Sequence, residues 1–174
     1  MALEETTIRG WRGGRTVRPG CPSSAVSRLA ARAMPEEPTT PSLTEPMERA
    51  AAALNARDFD AAASFYAPDA LLYPRAASVF EGREAIGRFF EDWFGAYEEF
   101  AFELEECRDL GNGVVFAVIS QQARLAGSAA WIPEERSALV LTGTDGLIEK
   151  ETNFSNVDEG RVAAERLARR RGGG

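Results

Sequence analysis

Side chains able to do chemistry gather on three stretches in the C-terminal half of the chain. Along residues 114–125, one alternating face reads Val114, Phe116, Val118, then Ser120, Gln122, Arg124. An apolar half turning polar on one face suits a pocket with a greasy floor and a polar wall; it equally suits a strand leaving the core for solvent. Along residues 147–154, Ile148 and Phe154 suggest an inward face that also carries Lys150 and Thr152. A buried lysine has a depressed pKa and acts as base or Schiff-base nucleophile, whereas a strand lysine reaching water or a carboxylate does neither. Ser137 joins the pocket wall if it turns inward with Leu139 and Leu141. Tyr73 offers either a hydroxyl to a cavity or plain packing.

Other chemistry is excluded by residue type. The 174-residue chain has no histidine. A Ser-His-Asp or Cys-His pair is therefore impossible, and His-based zinc or iron sites are ruled out. Cys21 and Cys107 make no disulfide framework, and Cys107 reads as a small apolar filler. No cofactor is expected. Residues 34–160 carry nine basic against twenty-four acidic side chains, a body that repels phosphate backbones, so no nucleic-acid partner is expected. The longest apolar run, Val114–Ile119, is far short of a bilayer span, so no membrane partner is expected either. Residues 1–33 hold six Arg and no apolar signal segment, which points to the cytoplasm. Lys150 is the single lysine among twenty basic residues, a bias of the kind found in GC-rich bacterial genomes.

The elements that must position these groups follow from periodicity. Residues 1–44, rich in Gly and Pro and poor in large aliphatics, read as a disordered extension with a weak helix near Ser27–Ala33. Met34 is an alternative start of translation, in which case residues 1–33 do not exist in the native protein; N-terminal sequencing tests this. A first helix begins at the capping-box spacing Ser42-x-x-Glu45 and buries Met47, Ala50, Ala51 and Leu54. Asp58 caps a second helix burying Phe59, Ala62, Ala63 and Tyr66, and a strand follows over Ala70–Tyr73. Ala85, Ile86, Phe89, Phe90, Trp93, Phe94 and Tyr97 give the third helix a broad apolar face. Four strands come next, with Gly111-Asn112-Gly113 and Thr144-Asp145-Gly146 as turns. Gly127, Trp131 and Pro133 lie in a loop ahead of a strand over Arg136–Leu141. Asn156 caps a terminal helix, with the domain proper spanning residues 45–157 and the helix and frayed tail 158–174.

Two blocks carry a resemblance: Ala53-Leu54-Asn55-Ala56-Arg57-Asp58-Phe59-Asp60 followed by Phe65-Tyr66-Ala67-Pro68-Asp69-Ala70, and Phe80-Glu81-Gly82-Arg83-Glu84-Ala85-Ile86-Gly87-Arg88-Phe89-Phe90. In order and spacing they resemble the SnoaL-like branch of the nuclear transport factor 2-like superfamily. The resemblance implies an α+β fold: a cone-shaped half-barrel of curved, mostly antiparallel sheet wrapped around three N-terminal helices, plus a short C-terminal helix. It also implies a cavity against the third helix, bringing Phe90 and Trp93 among the pocket-lining candidates.

The family's catalytic positions are not filled. By the shared blocks, the isomerase tyrosine falls on Ala50, the base on Tyr73 or Pro74, and the second aspartate on Ser137. The cyclase acid falls on Asn153, which transfers no proton. Dehydratases of the fold use histidine, and the Asp-Arg-Asp cluster of the epoxide hydrolases finds no inward match, Arg108-Asp109 lying at a turn. Three readings stand: a small-molecule-binding domain for a hydrophobic ligand without a recognisable catalytic dyad; a cyclase- or isomerase-like enzyme acting by acid/base chemistry on an enolisable ligand; and a homodimeric interaction module burying the sheet face of Val115, Ala117, Ile119 and Val140.

Overall fold

The computed structural model describes residues 41–74 and 78–173, all within the unit Glu37–Gly174. The expected disorder and weak helix of the N-terminal extension fall outside them. The described chain runs α1 (Thr44–Asn55), α2 (Phe59–Ser64), β1 (Tyr66–Tyr73), β2 (Phe80–Glu81), α3 (Arg83–Gly95), β3 (Tyr97–Asp109), β4 (Val114–Leu125), β5 (Trp131–Thr144), β6 (Leu147–Phe154) and α4 (Val157–Gly172). The strands form one curved, unclosed sheet in the order β2-β1-β6-β5-β4-β3. Only β1 and β6 run parallel; every other neighbour is antiparallel.

The centre of the sheet is covered twice. Val114 through Ser120 of β4 are all buried, which requires apolar layers on both faces. On the inner face, Val115, Ala117 and Ile119 join Leu139, Leu141, Ile148 and Phe102 against Met47 and Leu54 of α1 and Ile86, Phe90 and Phe94 of α3. On the outer face, Val114, Phe116, Val118, Ala138 and Val140 meet Ala164 and Ala168 of α4. This corrects the expected homodimer face. Val115, Ala117 and Ile119 belong to the main core, and Val140 lies on the opposite side beneath α4. The face that needs a cover has one in the same chain. Sixteen residues long, α4 is also the longest helix among the described residues rather than a short one. A Cβ on Gly160 would stand 2.7 Å from the Cβ of Ala138, so glycine here lets α4 lie close on β5.

Local chemistry sets the helix ends. The Asp58 side chain accepts from Ala61 N at 3.0 Å. Asn156 accepts from Asp158 N and Glu159 N at 2.9 and 3.1 Å, with acids in the first turn of α4 and Arg169–Arg171 in the last, both favoured by the macrodipole. The capping box of α1 does not form. Leu43, fully buried, takes the cap position, so Glu45 stands second in the helix instead of third. Tyr66 does not end α2 but opens β1, a strand that starts four residues earlier than its alternation suggests. Pro68 sits within it where the pairing with β6 is irregular, a place that tolerates a missing N–H. Similarly, β5 begins at Trp131, with Pro133 at an irregularity in its register with β4.

Two residues, the last of α1 and one in the link to α2, tie the helices to the sheet. Asn55 Nδ2 donates to Phe102 O at 2.7 Å, and Phe102 N donates to Asn55 Oδ1 at 2.8 Å, satisfying part of the edge strand β3. Arg57, at φ 57°, donates to Tyr97 O at 2.6 Å and Glu98 O at 3.1 Å just past α3. Asn55→Ala leaves both groups of Phe102 without their partner and is expected to cost about 2 kcal/mol in urea unfolding.

Candidate functional site

Between α1, α3 and the inner sheet face lies a cavity of about 630 Å³. Its wall is largely apolar: Met47, Ala50, Ala51 and Leu54 from α1, Phe89, Phe90, Trp93 and Phe94 from α3, and Leu72, Phe80, Phe102, Ile119 and Leu139 from the sheet. Its polar lining includes Tyr66, Asp92, Gln121, Glu135, Glu151, Asn153 and Ser155. Phe80, Phe89 and Trp93 pack successively as tilted rings, with centroids 4.5 and 5.9 Å apart, and make one rim of aromatic rings.

Glu151 is aimed into this space by a bulge in β6. Lys150 pairs with Thr142, yet Ile148 pairs with Gly143, so one extra residue stands between them on β6. The alternation therefore changes phase: Ile148 faces the core, and after the bulge Glu151 and Asn153 face the cavity. Glu151 is buried, and the Tyr66 hydroxyl donates to its Oε2 at 2.5 Å. Tyr66 is itself held by Phe90, edge-on with centroids 5.8 Å apart, and by Arg83 Nε, which donates to its carbonyl at 2.8 Å.

Burial dominates the electrostatics of the pair. Loss of hydration penalises the carboxylate and raises the Glu151 pKa from 4.5 to about 7, while the bond from Tyr66 acts in the opposite direction. The Tyr66 phenol is pushed well above its ordinary 10.0, first by burial, then by the Glu151 charge and their hydrogen bond. Tyr66 therefore stays a donor. Glu151 is poised to change protonation near neutrality, with Oε2 held and Oε1 left for proton exchange.

The sequence-derived candidates divide by face. Phe90 and Trp93 line the cavity, Trp93 being half exposed at its rim. Phe116 and Val118 face away from it beneath α4, where the Arg161 guanidinium lies 4.6 Å from the Phe116 ring centroid. Ser120, Gln122 and Arg124 share that phase. Gln122 Nε2 donates to Glu134 at 3.3 Å, and Arg124 pairs with Glu98 and Glu99, neither side chain lining the cavity. Tyr73 and Lys150 meet on the outer side, the ammonium 4.7 Å from the ring centroid. Thr152 pairs with Val140, also on the outer side. Ser137 is fully buried on the inner face, opposite Ile119, but does not line the cavity. Two causes account for the shifts. Residues 114–119 are apolar on both faces, so alternation alone assigns neither, and the bulge breaks the assumed continuity from Ile148 to Phe154.

Sequence reasoning missed Glu151 and Tyr66. Glu151 lay in the phase taken as solvated, and Tyr66 read as a helix core residue. The hollow holds a carboxyl where none was expected.

The model of the SnoaL-like domain family matches residues 47–150, more than half of the chain. The chain is a member of the SnoaL-like domain family. Glu151 falls one residue past the matched stretch. No curated protein matches the SnoaL-like chain significantly. Among solved structures it is similar to a Catenulispora acidiphila protein of ketosteroid isomerase-like fold in complex with trimethylamine (18% identity, 67% of this chain and 86% of that one, TM-score 0.58). It is also similar to a Mycobacterium tuberculosis LEH-like epoxide hydrolase (15%, 71% and 90%, 0.57). A third, from the same organism, is in complex with estradiol-17beta-hemisuccinate (18%, 68% and 97%, 0.58). At these identities the likeness is one of fold.

Proposed function

We propose that this SnoaL-like domain binds a hydrophobic small molecule in the cavity and moves a proton on it with Glu151 as general base and acid. The carrying observation is the buried carboxyl, bonded to Tyr66, in the wall of a 630 Å³ apolar cavity. The Glu151 carboxylate would take a proton from the carbon between a carbonyl and a C=C double bond, and the electron pair left behind would delocalise onto the carbonyl oxygen as a dienolate. The neutral Glu151 would then return the proton at the far carbon of that double bond, which moves into conjugation with the carbonyl as the carbonyl reforms, so the net reaction is an isomerisation without external oxidant or reductant. The apolar walls suit the body of such a ligand, and the steroid derivative bound by one fold neighbour is of comparable character.

A carbon-acid probe tests this without knowledge of the natural ligand. Opening of the 5-nitrobenzisoxazole ring follows removal of one carbon-bound proton and releases a coloured phenolate. Its kcat/KM should rise with pH through about 7, the Glu151 value, and then level off. A rate that tracks hydroxide alone, equal to that of an unrelated protein, contradicts the proposal.

A further inference from the structure

Asn153 stands two residues beyond Glu151 on β6, on the same face and in the same cavity wall. Its Oδ1 is buried and has no hydrogen-bond partner among the described residues. Deeper on the same inner face, the fully buried Ser137 Oγ is likewise unpartnered. The two are close in the sheet: Asn153 pairs with Leu139, and Ser137 is the next inward residue along β5. Gln121, Glu135 and Ser155 line this same part of the cavity, whereas α1 and most of α3 contribute apolar side chains. A buried amide oxygen left without a partner costs free energy, and such groups in native proteins call for an explanation.

We infer that Asn153 is a specificity-determining residue, whose amide binds a hydroxyl group of the ligand. A hydroxyl both donates and accepts, so it answers either end of an amide that can turn about its last bond. The inference rests on the cavity reading above and narrows the ligand class. Same-face neighbours on a strand are roughly 7 Å apart along it. The ligand is therefore an apolar, enolisable compound with an alcohol or phenol roughly 7 Å from the carbon that exchanges its proton at Glu151. A ligand lacking that hydroxyl leaves the amide oxygen buried and unpaired, a loss that discriminates against it.

The test compares 2-naphthol with naphthalene by direct titration of the full chain, read through tryptophan fluorescence. Wild type should bind 2-naphthol about tenfold more tightly. The preference should persist in Glu151→Gln, vanish in Asn153→Leu and survive in Asn153→Asp, which keeps an acceptor in place. Equal affinities in wild type overturn the inference without any variant, as does a preference retained by Asn153→Leu or lost in Glu151→Gln. A hydroxyl preference that follows Asn153 alongside a benzisoxazole rate indifferent to Glu151 would reject the base and leave the ligand-reading residue. The converse result would reject Asn153 and leave the base.

Discussion

Glu151→Gln is expected to lower turnover of a carbon-acid probe by 10²–10⁴-fold while leaving the affinity for an apolar ligand within a few-fold of wild type. Gln is nearly isosteric and still accepts from Tyr66, so the cavity keeps its shape while the proton-accepting carboxylate is gone. The same substitution has an expected stability signature. Between pH 4.5 and 7 the folded protein keeps a proton on Glu151 that the unfolded chain has released. Unfolding free energy therefore falls as pH rises through that window, and below it the contribution is fully present. The span corresponds to about 3 kcal/mol, so Glu151→Gln should gain about that much relative to wild type between pH 4 and pH 8. Taking the difference between the two proteins cancels the remaining carboxylates. Urea unfolding at the two pH values reads it, and parallel curves for the two proteins would argue that Glu151 is hydrated and ionised in the folded state.

Phe116→Ala is expected to have the largest effect on stability, a loss of about 3–5 kcal/mol. Its ring is fully buried between the sheet and α4 and carries the Arg161 guanidinium on its face. Truncation removes the filler of the second core and the platform of that cation together. Because Phe116 points away from the cavity, the affinity for an apolar ligand in the folded fraction should not change. Phe90→Ala differs in kind: it both opens the cavity wall and frees the Tyr66 ring, so ligand affinity and the Glu151 titration should shift along with stability. Thermal melts with and without 2-naphthol separate the two. A Phe116→Ala protein that folds but loses ligand affinity would mean that the two faces of β4 are assigned the wrong way round.

The contrast between these phenylalanines shows what the chain discloses about itself. The aromatic stripe from Ile86 to Phe94 repeats at helical spacing, and hydrophobic periodicity of that strength places α3 and its buried face directly. Asp58 and Asn156 announce two helix starts through side chains that bond their own backbone, an effect confined to a few residues. Long-range geometry is less visible. Nothing within residues 114–119 says which side looks at α1 and which at α4, since both sides are aliphatic. That choice is settled by the covering helix, more than thirty residues downstream. The bulge in β6 is also silent in sequence: Glu149, Lys150 and Glu151 are all charged, and only pairing with Thr142 and Gly143 decides which of them turns inward. Lys150 looked the more reactive residue and ends on the outside against Tyr73, while Glu151, one position on, enters the cavity. Tyr66 completes the pair only because β1 starts at the end of α2 and lies parallel to β6. The resemblance of the Ala53–Asp60 block implied a hollow against the third helix, and the acid that lines the cavity comes from a position that the family pattern does not mark.

The ionisation of Glu151 itself is the most direct measurement. With glutamate labelled at the side-chain carboxyl carbon and Glu151→Gln used to assign its resonance, ¹³C chemical shifts followed from pH 4 to pH 9 report one titration. A midpoint of about 7 is expected, as burial in the apolar wall requires. A midpoint near the ordinary 4.5 would show a solvated carboxylate and contradict the proposed role of Glu151 in proton transfer.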